Sequence, residues 1–153
     1  MPIVWDAAFC LGEEAIDADH RAMMALIRVL EGVAARPGSG SAVEALLIQL
    51  RDLCLAHFTR EEAFQRAIGF PDLDGPRLGH QMLLKRLDAV LAHFSSGSDQ
   101  IRAGILRILA DSLATWLAFH ITRGGAAMRP YVEAARHRRR PRRRSSSPVP
   151  PQA

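Results

Sequence analysis

Four histidines and one glutamate carry the chemistry this sequence can offer. His20 lies three and four residues before Met23 and Met24, and His80 lies three and four before Leu83 and Leu84. His57 follows Cys54 by three, and His120 follows Trp116 by four. Each imidazole thus continues an apolar row at helical spacing and points toward a core. Glu61 follows His57 by four, so its carboxylate leaves the same helix face. Burying four imidazoles and a carboxylate carries a desolvation cost that is tolerable when the groups are hydrogen-bonded or hold a metal. Imidazole with carboxylate suits iron, zinc or manganese better than the soft, thiolate-loving ions.

Taken singly, each residue has a plainer explanation. A histidine in an apolar row is more often a hydrogen-bonded core residue than a ligand. A glutamate on a helix is more often a solvated charge paired with Lys or Arg. One such histidine per helix, with a glutamate one turn from one of them, is hard to produce by accident, so the constellation favours a metal site. His93 serves as a control: thirteen residues beyond His80, at about 100° per residue, it faces away from the row. His137 lies in a basic tail and does not join the cluster either.

Four amphipathic helices must position these groups. Helix A is expected to follow Asp17 and to end before Pro37-Gly38. Ser41 with Glu44 forms a capping-box signature for helix B, whose pattern lasts to Gly69-Phe70-Pro71. Helix C starts near Gly75-Pro76 and runs to Phe94, and Ser95-Ser96-Gly97-Ser98 makes a turn. Helix D extends to Gly124-Gly125, which can end a helix in a left-handed conformation. The apolar rows are Met23, Met24, Ile27 and Leu30 in A; Val43, Leu46, Leu47, Leu50, Leu53 and Cys54 in B; Leu83, Leu84, Leu87, Leu91 and Phe94 in C; and Ile101, Ile105, Ile108, Leu109, Leu113 and Trp116 in D. The fold expected is all-α: an antiparallel up-down four-helix bundle. An N-terminal arm anchored by Trp5 and Phe9 precedes it, and a short helix around Met128 to Ala135 follows.

Composition agrees. The 153 residues suit one core, and 48 % hydrophobic residues with only 6 % aromatics, dominated by Leu and Ala, favour helices over strands. No run approaches about 20 uninterrupted apolar residues, and no secretory signal is visible. Cys10 and Cys54 are not spaced as a metal or redox pair, so a reducing cytoplasm is the expected location. The net charge of +4 belongs to the tail: residues 136–153 hold seven arginines, whereas residues 1–135 carry 13 Lys and Arg against 16 Asp and Glu. The bundle is therefore assigned to 1–135, and 136–153 to a disordered Arg/Ser/Pro-rich tail. That tail could meet nucleic acid or an anionic surface by counterion release, but it lacks interleaved aromatics, which favours a solubilising role.

The ordered pieces Trp5 with Gly12, "IDADH" ending at His20, "HFTREE" from His57, "GFPDL" from Gly69 and "WLAFHI" ending at Ile121 resemble the hemerythrin family in its bacterial form, over residues 3 to about 131. The resemblance implies a site for two iron atoms held by five histidines and bridged by a glutamate and an aspartate, with O2 bound reversibly at one iron. By position, His20 and His57 would serve the O2-binding iron, His80 and His120 the other, and Glu61 would bridge.

Two positions depart from that pattern. Pro76 stands four before His80, where a fifth histidine is expected, and Gly125 stands five after His120, where the bridging aspartate is expected. Asp74 is the nearest acid that could substitute. Losses in the outer layer of a metal site already cost about 10–100-fold in affinity, so loss of two direct ligands is expected to cost at least as much. The sequence thus points to a hemerythrin-like, non-catalytic iron-binding protein with an incomplete centre, holding one metal or none where the family holds two irons. The alternatives are a metal-free bundle serving as a scaffold or partner-binding module and, more weakly, a mononuclear iron enzyme.

Overall fold

The computed structural model describes residues 4–34, 36, 40–94 and 98–139. Its elements are a single 3-10 turn at Ala7–Phe9 and helices α1 (Glu14–Ala34), α2 (Gly40–Ile68), α3 (Asp74–Phe94), α4 (Asp99–Phe119) and α5 (Gly125–Arg139), with a π turn at His120–Gly124 joining the last two. α1 packs on both α2 and α4, α2 packs on α3, and α5 leans on α2. The described residues form the expected all-α bundle.

The core follows the expected rows in α1 to α3. Met23, Met24, Ile27 and Leu30 are buried, as are Val43, Leu47, Leu50, Cys54, Leu83, Leu87 and Phe94. In α4 the expected row holds in part. Leu109 and Leu113 are buried and Trp116 packs against the core, but Ile101 and Ile108 are 59 % and 71 % exposed, and the inward row is filled instead by Leu106, Ala110, Ala114 and Leu117, continued by Ile121 of the π turn. This helix is apolar on most sides, so period alone could not choose the buried face. One stretch within Gln100–Arg139 is long and apolar enough by length and composition to cross a membrane. Its inward row is core packing of the bundle.

Helix ends also repay comparison. α1 begins at Glu14, before Asp17 rather than after it. Asp17 is not a cap for its own helix: its carboxylate accepts from the backbone amides of Leu11 and Gly12 at 2.8 and 2.9 Å and from the Cys10 thiol at 3.0 Å. It therefore ties the arm down, where Trp5 and Phe9 pack against the core as expected. α2 already runs at Gly40, so Ser41 lies inside the helix and is not its cap. The breaker pair Pro37-Gly38 and the turn residues Ser95, Ser96 and Gly97 fall outside the described residues. α2 ends as expected. Gly69 adopts φ +75°, Phe70 N–H donates to the Gln65 carbonyl at 2.9 Å, and Gly69 N–H donates to the Arg66 carbonyl at 3.2 Å. That is a Schellman closure, which favours glycine at the left-handed position.

The largest correction is at Gly124-Gly125. Gly125 has φ −60° and ψ −45°, so nothing left-handed stops the helix. The chain widens into one π turn and continues as α5, longer at both ends than the Met128–Ala135 segment expected. The Thr122 hydroxyl donates to the carbonyls of Ala118 and Phe119 at 2.7 and 3.3 Å, supplying a donor to backbone oxygens at the widened turn. α5 runs through Arg139, and the Arg136 guanidinium donates to the Gly12 carbonyl while Arg129 donates to that of Ala8. Residues 140–153 lie outside the described residues.

Candidate metal centre

Three imidazole nitrogens converge on one carboxylate oxygen. Nε2 of His80, His120 and His57 lie 3.1, 3.5 and 3.8 Å from Glu61 Oε2. His57 Nε2 and His120 Nε2 are 3.2 Å apart. His20 completes the group, its ring centroid 4.7 Å from that of His57 and 5.5 Å from that of His120. The structure thus brings all five expected residues together, one histidine from each of α1, α2 and α3 and His120 from the end of α4. His93 is exposed, its Nδ1 against the Ala89 carbonyl, and His137 is exposed on α5. Asp74 does not reach the cluster: its side chain is 99 % exposed beside Arg77.

Sequence reasoning missed the groups that aim these rings. His57 Nδ1 faces a carboxylate oxygen of Asp19 at 3.3 Å, and Asp19 is in turn paired with Arg60. His80 Nδ1 faces Glu62 at 3.4 Å, and Glu62 accepts from Arg77 Nε at 3.3 Å. A carboxylate can only accept, so Asp19 favours the His57 tautomer with its proton on Nδ1 and a lone pair on Nε2, whereas His80 lies between two carboxylates, Glu62 on its Nδ1 side and Glu61 at 3.1 Å on its Nε2 side. Rings supply further orientation: Phe58 stacks on His80 at 3.9 Å and 4°, and Trp116 stacks on His120 at 4.8 Å and 9°. Trp116 is therefore more than the plain core residue its spacing suggests. The only sequence signal for Asp19 and Glu62 was their place beside His20 and Glu61.

Burial keeps three of the rings neutral. Burial lowers the His57 imidazole to about 2 and His120 to about 4, with Glu61 pulling against the shift. Burial also lowers His20. Burial pushes the Glu61 carboxyl up, but His80 and the other imidazoles more than reverse it, leaving it at about 2. The buried site thus presents neutral rings at His20, His57 and His120 beside an ionised carboxylate.

Several of these buried atoms have no hydrogen-bond partner: both nitrogens of His20, Nε2 of His80, Oε2 of Glu61 and Oε1 of Gln65. Buried polar atoms are paired in the great majority of proteins, and exceptions call for a proton, a water or an ion. His80 Nε2 and Glu61 Oε2 face each other at 3.1 Å, a gap that a shared proton or a cation would fill. Metal–nitrogen bonds of about 2.0–2.1 Å with tetrahedral angles place ligand atoms about 3.4 Å apart. The separations of 3.1 to 3.8 Å around Glu61 match the edges of such a polyhedron. Two overlapping sets have ligand atoms mutually within 4.8 Å: His20, His57 and His120, and Glu61, His80 and His120. The donors present fit iron or a similar borderline ion.

The sequence matches the profile described as Hemerythrin HHE cation binding domain over residues 11–124. The chain belongs to the hemerythrin family. It is 26 % identical over 135 residues to a bacteriohemerythrin of Pseudomonas paraeruginosa, covering 88 % of this chain and 82 % of that one. A bacteriohemerythrin of Stenotrophomonas maltophilia is also 26 % identical, over 132 residues, 86 % of this chain and 82 % of its own. A hemerythrin-like protein of Naegleria gruberi is 30 % identical over 84 residues, 55 % of this chain and 65 % of its own. Pro76 and Gly125, the two positions where the resemblance leads one to expect a ligand, have clear local settings. Pro76 is the third residue of α3, in the first turn, where the missing N–H carries no penalty. Gly125 is buried, and a Cβ built there would meet no heavy atom within 4 Å.

Proposed function

We propose that this hemerythrin-family chain binds non-heme iron between its helices and uses it for reversible O2 binding, in storage, delivery or sensing, without catalytic turnover. The centre is reduced relative to the family's di-iron arrangement. The observation that carries this reading is the convergence of three inward-facing Nε2 atoms on the unpaired Oε2 of Glu61.

Glu61 and His80 with His120 form one ligand set, and His20 and His57 lean on the same His120. Because His120 cannot serve two metals through one nitrogen, one ion per chain is the better match to these donors. Iron held there would supply a redox-active position able to take up O2. The residues contribute the rest. Asp19 holds the ring of His57 in the tautomer that leaves Nε2 free, and Glu62 faces the Nδ1 edge of His80. Phe58, Trp116 and the neighbouring core keep bulk water away. Cys10 and Cys54 are both free thiols, which supports placing the protein in a reducing cytoplasm.

Elemental analysis after anaerobic loading with ferrous iron tests the reading. About one iron per chain is expected, lost in His57→Ala and Glu61→Ala, with a visible absorption change on oxygenation that reverses when O2 is removed. Two irons per chain would restore the full family arrangement. No iron in the wild type, with both variants as stable as it is, would favour the metal-free scaffold.

A further inference from the structure

Gln65 is buried to 2 % exposure, one helical turn beyond Glu61 on the same face of α2. The only hydrogen bond of its side chain among the described residues is a weak one, from Nε2 to the sulfur of Met128 at 3.7 Å. Its Oε1 has no partner. A primary amide offers two donors and two acceptor lone pairs, so nearly all of this one's capacity is idle in the interior. An apolar residue of the same shape would fit Met128 better, which makes a purely packing role a poor account of Gln65.

What faces it is the side of the centre that lacks a ligand. Met128 lies three residues beyond Gly125 and shares its face of α5. The π turn His120–Gly124 joins that face to His120, whose Nε2 contacts Glu61, and Gly125 closes the turn with its N–H on the Ile121 and Thr122 carbonyls. Glu61 thus meets His120 in one layer. In the next, Gln65 meets the α5 face on which Gly125 leaves room for a side chain. Helical side chains lean toward the N-terminus of their helix, which tips the Gln65 amide back toward Glu61.

We propose that the Gln65 carbonyl oxygen is a further, neutral oxygen ligand of the metal centre, on the side that Gly125 leaves open. The proposal rests on the metal-binding reading above. Carbonyl oxygens are ordinary donors to hard and borderline divalent ions. Replacing a carboxylate by an amide keeps an oxygen ligand but removes one negative charge from the site, consistent with a centre that holds fewer cations.

Anaerobic titration of the full chain with Co(II) tests this, because the ligand-field spectrum of Co(II) reports coordination number independently of O2 binding. Gln65→Met is expected to weaken Co(II) binding at least tenfold, to alter the band intensities, and to leave the thermal midpoint of the metal-free protein unchanged or raised. Gln65→Glu, with the same reach and a charged oxygen, is expected to bind at least tenfold more tightly than wild type with the wild-type spectrum. Wild-type affinity and spectrum in Gln65→Met would overturn the assignment alone and leave Gln65 a packed amide. Should Gln65→Met not fold, equal or weaker binding by Gln65→Glu overturns it. No Co(II) binding by the wild type would overturn the metal-binding reading, and this proposal with it.

Discussion

Asp19 places a carboxylate oxygen 3.3 Å from Nδ1 of His57, on the edge of the ring opposite the one that meets His120. α1 thereby fixes a ring carried by α2, and Arg60 of α2 reaches back to hold Asp19. Asp19→Asn is expected to lower metal affinity about 10–100-fold, because an amide can present its NH2 to Nδ1 and release the tautomer. The fold should survive, since Asp19 is only partly buried. Metal titration beside a circular dichroism spectrum checks both statements, and Glu62→Gln should behave alike toward His80.

Glu61 divides stability with metal from stability without it. In the metal-free core the imidazole neighbours favour the ionised carboxylate, whose folded value of about 2 lies below the ordinary one, so Glu61→Ala should lower the metal-free thermal midpoint at neutral pH. Saturating metal at a hundred times Kd adds about 2.7 kcal/mol to the wild type, or roughly 5–10 °C for a chain of this size. That increment should vanish in the variant. Thermal melts with and without ferrous iron measure it.

Gly125→Asp would fill the room beside His120 with a second carboxylate. The backbone there is ordinary right-handed helix, so the substitution meets no conformational barrier. Without metal the buried charge should destabilise the fold. With metal it should raise iron content toward two per chain, and elemental analysis of the reloaded variant decides.

The two thiols should differ sharply. Cys10 is exposed, whereas burial pushes the Cys54 thiol up to about 12. A thiol reagent at pH 8 should label Cys10 alone and reach Cys54 only on unfolding. Between the ordinary thiol value of 9.0 and about 12, an unfolded chain has lost the Cys54 proton that the folded one retains. Stability therefore falls as pH rises through that window. A Cys54→Ala variant, whose melts lack this share of the alkaline decline, isolates it.

The cluster was legible because each ligand broke an apolar row: a histidine where a leucine was due, in four helices, is a visible contradiction. The groups around it break nothing. Asp19, Glu62 and Gln65 read as ordinary polar helix residues, and only their partners across the bundle give them meaning. α4 hid its inward face because Ile101, Ile105 and Ile108 offered a second apolar row as good as the true one. The start of α1 was obscured because an aspartate before an apolar run looks like a cap, while Asp17 serves the arm instead. At Gly124-Gly125, paired glycines signal a stop. The π turn that occurs there has a period no residue pattern announces.

That widened turn works as a phase setting between the bundle and its last helix. In a regular helix five residues advance about 500°, which would leave position 125 about 140° out of line with His120. The wider turn lessens that rotation, and Met128, Arg129 and Arg136 make their contacts downstream of it. Deleting one residue between His120 and Gly125 would let the helix rewind regularly. It would swing both arginines off the carbonyls of Ala8 and Gly12, so a defect at the centre of the molecule would first be felt as a loose N-terminal arm.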